Sequence, residues 1–359
     1  MTFSCYFSIK ETPSPFTVAE LDRFRSDYNN FTVHSVHLLP EQTNKFHNYD
    51  RLLDLLNTEP IAYRKPPLYL TPQSTMATTT ITIPSGTVTT KLNFSLHPPE
   101  GQVAFNYVDT PPAGEVQRNV EQFKQDVSVE DVRGRESEFN LDHDAFQIVQ
   151  DVPESKETEF VDDESIKANY YPEVEKLLLD HVPGSNRVFL FDHTIRRADP
   201  SASRKAVQSV HIDQTAYSTE KRVRTHMGED AEKLLQGRYR IINVWRPLNK
   251  NPVESMPLGF ASSATLEQKD VIPVEHRYPS GYVGQTAAIA YNPSQKWYYL
   301  SGMTGSERLL LECFDSESLK EGSGVDGGRV AHTAFEHPLT RPDAEGRESI
   351  EVRALVFGP

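Results

Sequence analysis

The amino-acid sequence predicts a mainly β fold with flanking helices, in which antiparallel strands form a sandwich or barrel. Short apolar segments recur at Tyr239 to Trp245, Thr286 to Tyr291, Trp297 to Ser301, Leu309 to Phe314, Val330 to Phe335 and Ser349 to Phe357. Gly, Pro, Asn and Ser break them at short intervals. No helical period intervenes, which excludes a doubly wound parallel sheet, because parallel neighbours need long crossover connections.

The elements before Tyr239 are mixed. Val18 to Tyr28 and Asn48 to Asn57 suit short helices, the second through Leu52, Leu53, Leu55 and Leu56. A Pro-rich stretch at Pro60, Pro66, Pro67 and Pro72 then runs into the low-complexity segment Ser74 to Thr80, which has linker composition. Residues 1–75 read either as an accessory segment or as an extension ahead of a second start at Met76, residues 76–90 as a linker, and residues 91–359 as the globular domain. Leu92 to Phe94 and Phe105 to Val108 suit strands, and acidic residues dominate from Glu115 to Glu164. Tyr170 to His181 has helical spacing, with Pro172 in a first turn and Val174, Leu177 and Leu178 on one face. Arg187 to His193 reads as a buried strand, and Thr219 to Gln236 as a second helix through Ala231, Leu234 and Leu235.

Composition narrows the function. A chain of 359 residues with net charge −14 and dispersed acidic residues argues against nucleic acid or an anionic membrane as partner, and favours a small-molecule substrate. Cys5 and Cys313 are the only cysteines, and their separation suits neither a zinc site nor a disulfide framework. No apolar stretch reaches the roughly 18–20 residues needed to span a bilayer, so a cytoplasmic location is expected. Oligomeric state has no signature. Walker, dinucleotide-binding, nucleophile-elbow and His-Glu-x-x-His patterns are all absent.

The most informative segment is Val210-His211-Ile212-Asp213-Gln214-Thr215. On a strand, residues two apart share a face, so His211 and Asp213 can reach one metal ion. A facial triad needs one more histidine from a distant strand. His332, within Val330 to Phe335, is favoured over His337, which precedes Pro338 in a turn. In Arg347-Glu348-Ser349-Ile350-Glu351-Val352-Arg353, Arg347, Ser349, Glu351 and Arg353 share one strand face. A guanidinium there matches the distal carboxylate of a co-substrate such as 2-oxoglutarate, with Ser349 as supplement. Either Arg347 or Arg353 can be the anchor, and the alternative is that Glu351 pairs with one of these arginines on an exposed face. Asn243 and Trp245 fall on one side of their strand and are candidates for substrate contact or for a structural role. His193, Arg196 and Arg197 could hold an anion, although a buried histidine satisfied by hydrogen bonds is the commoner case, and Tyr298 and Tyr299 read as half core and half surface.

These segments, with Phe191 to Arg197, Ile241 to Leu248, Phe314 to Ser316 and His332 to Phe335 in order, resemble the fungal hydroxylase/desaturase family over about residues 90 to 359. That family is similar to gibberellin desaturases, AsaB-type hydroxylase/desaturases of secondary-metabolite clusters and bacterial CmcJ-type proteins. The resemblance implies a double-stranded β-helix, or jelly-roll, oxygenase using iron(II), 2-oxoglutarate and O₂, with His211, Asp213 and His332 at the metal. It departs at Pro257-Leu258-Gly259-Phe260 and Gly284-Gln285-Thr286, positions expected to shape a pocket without touching the ligands. Two rival readings stand beside it. One is a cupin-like dioxygenase or isomerase working without 2-oxoglutarate, although this chain lacks the His-x-His usual there. The other is a non-enzymatic β-sandwich binding protein in which His211 and Asp213 are incidental.

Overall fold

The computed structural model describes residues 83–199 and 205–358, so the two helices expected before residue 60 and residues 76–82 of the linker lie outside the described residues. In chain order the elements are β1 (Val88–Ser95), β2 (Ala104–Tyr107), β3 (Gln122–Asp131), α1 (Leu141–Asp144), β4 (Phe146–Val149), α2 (Asp163–His181), β5 (Arg187–Arg196) and β6 (His211–Ile212). There follow α3 (Ala216–Met227), α4 (Ala231–Leu234), β7 (Arg238–Pro247), β8 (Leu258–Ala261), β9 (Val271–Arg277) and β10 (Val283–Ile289). The last strands are β11 (Trp297–Tyr299), β12 (Arg308–Asp315), β13 (His332–Ala334) and β14 (Ser349–Gly358).

Nine strands form one sheet in the order β1-β3-β11-β8-β13-β6-β10-β9-β2, and five form a second in the order β4-β12-β7-β14-β5. The pairs are antiparallel except β3 with β11 and β2 with β9. Strand period explains how the sheets stack. On the five-stranded sheet, Ile242, Val244, Leu310, Ile350, Val352 and Val356 turn outward and pack with Tyr170, Val174, Leu177 and Leu178 of α2. The opposite face carries Tyr239, Ile241, Leu355 and Phe357, which cluster with Val210, Ile212, Tyr299 and Phe335 of the larger sheet. A second inter-sheet cluster joins Trp245, Leu309 and Leu311 to Phe260 and Tyr298. The two sheets therefore pack as a sandwich, and the polar Asn243 and Arg353, paired across β7 and β14, interrupt its inner face. Polar groups in that position need partners.

Several boundaries differ from the sequence expectation for local reasons. α2 starts at Asp163 because Asp162 caps it, accepting a hydrogen bond from Ser165 N at 2.7 Å. Pro172 thus lies inside the helix, on its exposed side, and not in its first turn. The helix expected over 219–236 divides: α3 is capped by a Thr215–Ser218 capping box and ends at Gly228, whose φ of 54° breaks the period before α4. β3 lies within the acidic stretch and pairs with β1 from Val88↔Val129 to Ser95↔Gln122; its charged, half-exposed sequence concealed it. β1 itself begins at Val88, within the stretch of linker composition. Tyr298 and Tyr299 are both core residues, at 8% and 1% exposure.

Candidate metal centre

β6 runs between β13 and β10, so that His332 stands opposite His211 on one side and Ala288 on the other. Register alone thereby brings together two histidines far apart in sequence, with ring centroids 4.4 Å apart. β6 is shorter than the expected Val210 to Thr215 strand, and Asp213 lies just past its end. Its carboxylate nevertheless returns to the same side, Oδ1 lying 3.4 Å from His211 Nε2. One potential ligand atom from each of His211, Asp213 and His332 lies within 4.8 Å of the others. The histidines are held from behind: His211 Nδ1 is 2.8 Å from Ser209 O, and His332 Nδ1 is 3.3 Å from Val330 O. A proton on each Nδ1 satisfies the carbonyl and leaves the Nε2 lone pair for a metal.

Asp213 is held just as firmly. Its Oδ2 accepts from Asn243 Nδ2 at 2.8 Å and from Arg353 Nε at 3.1 Å. Arg353 also donates to Asp192 Oδ1 at 3.1 Å, Thr194 Oγ1 at 3.0 Å and Glu351 Oε1 at 2.5 Å. One cation is thus surrounded by three carboxylates. Burial opposes ionisation of Asp213, but the charge of Arg353 and the contact with His211 outweigh it and hold its pKa well below the usual carboxylate range. Burial, reinforced by the neighbouring His211, pushes His332 down to about 3. Burial also disfavours charge on His211, yet the contact with Asp213 overrides it and raises the pKa. At neutral pH the centre offers an ionised carboxylate and a neutral His332 without rearrangement.

The remaining candidates separate clearly. Arg347 lies just before β14, not on it as expected, and is 7% exposed. It makes no ion pair among the described residues; Nη1 donates to Met256 O at 2.9 Å, and Nε is buried without a partner. Its guanidinium lies 5.6 Å from the Trp245 ring centre. Burial and the charge of Arg196 lower its pKa to about 10. Ser349 is buried two residues further on. Trp245 belongs to an apolar cluster and Asn243 holds a carboxylate, so both have structural contacts. His337 contacts Tyr299 Oη at 3.2 Å and takes no part in the three-residue cluster. The anion reading of His193 and Arg197 gives way to local pairing, with Tyr171 and Asp163 for the first and Glu348 for the second. Phe260 was expected to stay clear of the ligands, but it stands directly opposite His332 across β8 and β13. Asp192 and Thr194 were not singled out from the sequence; their alternation on β5 opposite the Arg353 face was the available signal.

Comparison with known proteins follows the same geometry. Residues 92–357 match the family model described as an oxidoreductase/YMDC permease-like domain. The chain is 38% identical over 300 residues to the hydroxylase/desaturase poxK of Penicillium oxalicum, covering 76% of this chain and 92% of that protein. It is 33% identical over 258 residues to the Fe(II)/2-oxoglutarate-dependent dioxygenase nvfI of Aspergillus novofumigatus, covering 70% and 90% of the two chains. The chain belongs to the fungal hydroxylase/desaturase family of iron(II)- and 2-oxoglutarate-dependent oxygenases. A solved structure of the iron and alpha-ketoglutarate-dependent endoperoxidase NvfI superimposes on this family member with a TM-score of 0.68 at 30% identity, over 76% of this chain and 98% of that one. Its sandwich is therefore the jelly-roll core of an oxidoreductase. The cupin-like and non-enzymatic readings give way to that membership. No helix among the described residues is long and apolar enough to cross a membrane.

Proposed function

We propose that this oxygenase hydroxylates or desaturates a small organic molecule of secondary metabolism, with iron(II) bound by His211, Asp213 and His332 and 2-oxoglutarate anchored at Arg347. The observation that carries the reading is the convergence of two imidazoles and one carboxylate within 4.8 Å, with His332 buried and His211 and Asp213 partly buried. That donor set, with positions left open, suits non-haem iron(II). Because Asn243 and Arg353 occupy Oδ2 of Asp213, Oδ1 is the oxygen left for the metal. Iron(II), 2-oxoglutarate and dioxygen together supply the oxidising power needed at an unactivated carbon.

The chain's own residues orient and exclude water. Arg353 already has three carboxylates and acts as a clamp on Asp213. Arg347 has none, is held against Trp245, and keeps a buried Nε–H for an incoming acid. A desolvated guanidinium without a counter-ion favours a bidentate carboxylate strongly, and Ser349 lies beside it. Phe260, opposite His332, adds apolar surface at the metal and suits a substrate carbon held out of water. The net charge of −14 and the buried, unpaired Cys313 fit a cytoplasmic enzyme acting on a small molecule and not on nucleic acid.

The test pairs two variants. His211→Ala should lose both iron retention and succinate formation, with or without substrate; unchanged turnover would sink the assignment. Arg347→Gln should keep its iron and raise the KM for 2-oxoglutarate by about 10- to 100-fold, the scale of one charge-assisted pair. An unaltered KM would return Arg353 to consideration.

A further inference from the structure

Away from the metal, on the outer face of the five-stranded sheet, two arginines stand together. β7 and β12 pair with Leu309 opposite Trp245, and continuing that register by one residue sets Arg308 opposite Arg246. Like charges directly opposite each other on adjacent strands are destabilising. Burial should make this worse: Arg308 is 2% exposed, and neither arginine makes an ion pair among the described residues. Arg308 Nη1 is satisfied by Gly305 O at 2.7 Å and Glu307 O at 2.9 Å. Arg246 is not satisfied, since its Nε and Nη1 are buried without a hydrogen-bond partner.

The surroundings focus these donors. Tyr170 of α2 is fully buried, and its hydroxyl interacts with the Arg246 guanidinium without forming a hydrogen bond of good geometry. The Arg246 guanidinium lies 5.0 Å from the Phe160 ring centre and 5.5 Å from that of Tyr170, and Arg308 lies 5.9 Å from Tyr170. The π faces offset part of the charge and supply no acceptor for the N–H groups. Glu173 is a carboxylate whose charge acts on Arg246, but it accepts the Lys156 N–H at 2.8 Å and makes no ion pair with the guanidinium. Gly305 adds space, because a Cβ there would sit 3.6 Å from Arg246 Nη2.

We propose that Arg246, Arg308 and the Tyr170 hydroxyl form a buried site for a small oxyanion, a phosphate or a carboxylate, separate from the metal centre. An oxyanion accepts from all three groups at once and removes the repulsion between the arginines. Its role is to lock α2 onto the outer face of the five-stranded sheet, where Tyr170 is the helix's contribution to both the core cluster and the site. The site does not depend on the iron reading.

The test uses the full chain and reads the thermal midpoint in sodium phosphate, sodium acetate and sodium chloride at equal ionic strength. Phosphate or acetate should give a saturable rise of about 5 °C at 100 times its Kd. A rise in phosphate alone identifies a tetrahedral ligand, and one in acetate alone a carboxylate. Arg308→Met should abolish the rise without lowering the midpoint in chloride, because it removes one of two like charges. Tyr170→Phe should keep the fold and weaken the apparent affinity several-fold, which also decides the matter if the arginine variant does not fold. Equal midpoints in the three salts, a full anion response in Arg308→Met, or an unchanged affinity in Tyr170→Phe would overturn the proposal.

Discussion

Asp213 shows how much of this centre depends on groups that never touch a metal. Its Oδ2 receives two donors while Oδ1 faces His211, so the carboxylate is turned before any ion arrives. Asn243→Ala or Arg353→Leu should weaken iron(II) or cobalt(II) affinity by about 10- to 100-fold in a direct titration, the range for lost outer partners of metal ligands. Unchanged affinity in both would mean the carboxylate needs no clamp. Protons follow from the same contacts. His332 has a folded pKa of about 3 against an ordinary 6.5, and His276 and His337 are also lowered by burial. For a base depressed in the folded state, the unfolded chain takes up more protons below pH 6.5, so stability falls as pH drops through that window. Asp213, also depressed, adds to this loss once pH falls through the carboxylate range, whereas the raised His211 and the buried, raised Glu312 and Glu351 oppose it. With His226 also lowered by burial, the thermal midpoint of the metal-free protein should decrease from pH 6.5 to pH 5; an increase would show that His211 and the raised carboxyls outweigh the depressed histidines.

At the scale of elements, α2 and the outer face of the five-stranded sheet carry much of the stability. Leu178 is fully buried against Val352 and its neighbours, so Leu178→Ala should cost about 2–5 kcal/mol, measurable by denaturant unfolding. Pro172 points the other way. It removes an N–H from the helix interior on the exposed side, and Pro172→Ala should stabilise the protein by up to about 3 kcal/mol if the rest of α2 stays straight. A lower midpoint for this variant would show that a bend at Pro172 is needed to lay Tyr170 on the sheet. The mid-helix position also explains why the sequence placed the start of α2 too late: proline is commoner in a first turn, whereas the capping aspartate lies ten residues earlier.

At the scale of the whole molecule, the metal would join β6 to β13 and the five-stranded sheet through Asp213 and Arg353, tying both layers of the sandwich together. Binding that involves only the folded state should stabilise it by about 2.7 kcal/mol at 100 times Kd, so the thermal midpoint should rise with metal concentration and chelation should reverse it. A midpoint insensitive to iron(II), cobalt(II) and chelator alike would contradict a site assembled by folding.

By itself the sequence determined the mainly β architecture, the placement of most strands after Tyr239, and the pairing of His211 with Asp213. Each is a local property, since alternation, turn residues and i, i+2 spacing are written within a few positions. It also limited the third histidine to His332 or His337. Only the tertiary structure decided the rest, because register is a relation between strands: His332 meets His211 by cross-strand pairing, whereas His337 turns to Tyr299. The two arginines of the last segment look equivalent in sequence, and burial and partners distinguish them, Arg353 among three carboxylates and Arg347 with none. Arg246 and Arg308 lie 62 positions apart, and their encounter likewise exists only once β7 and β12 are aligned.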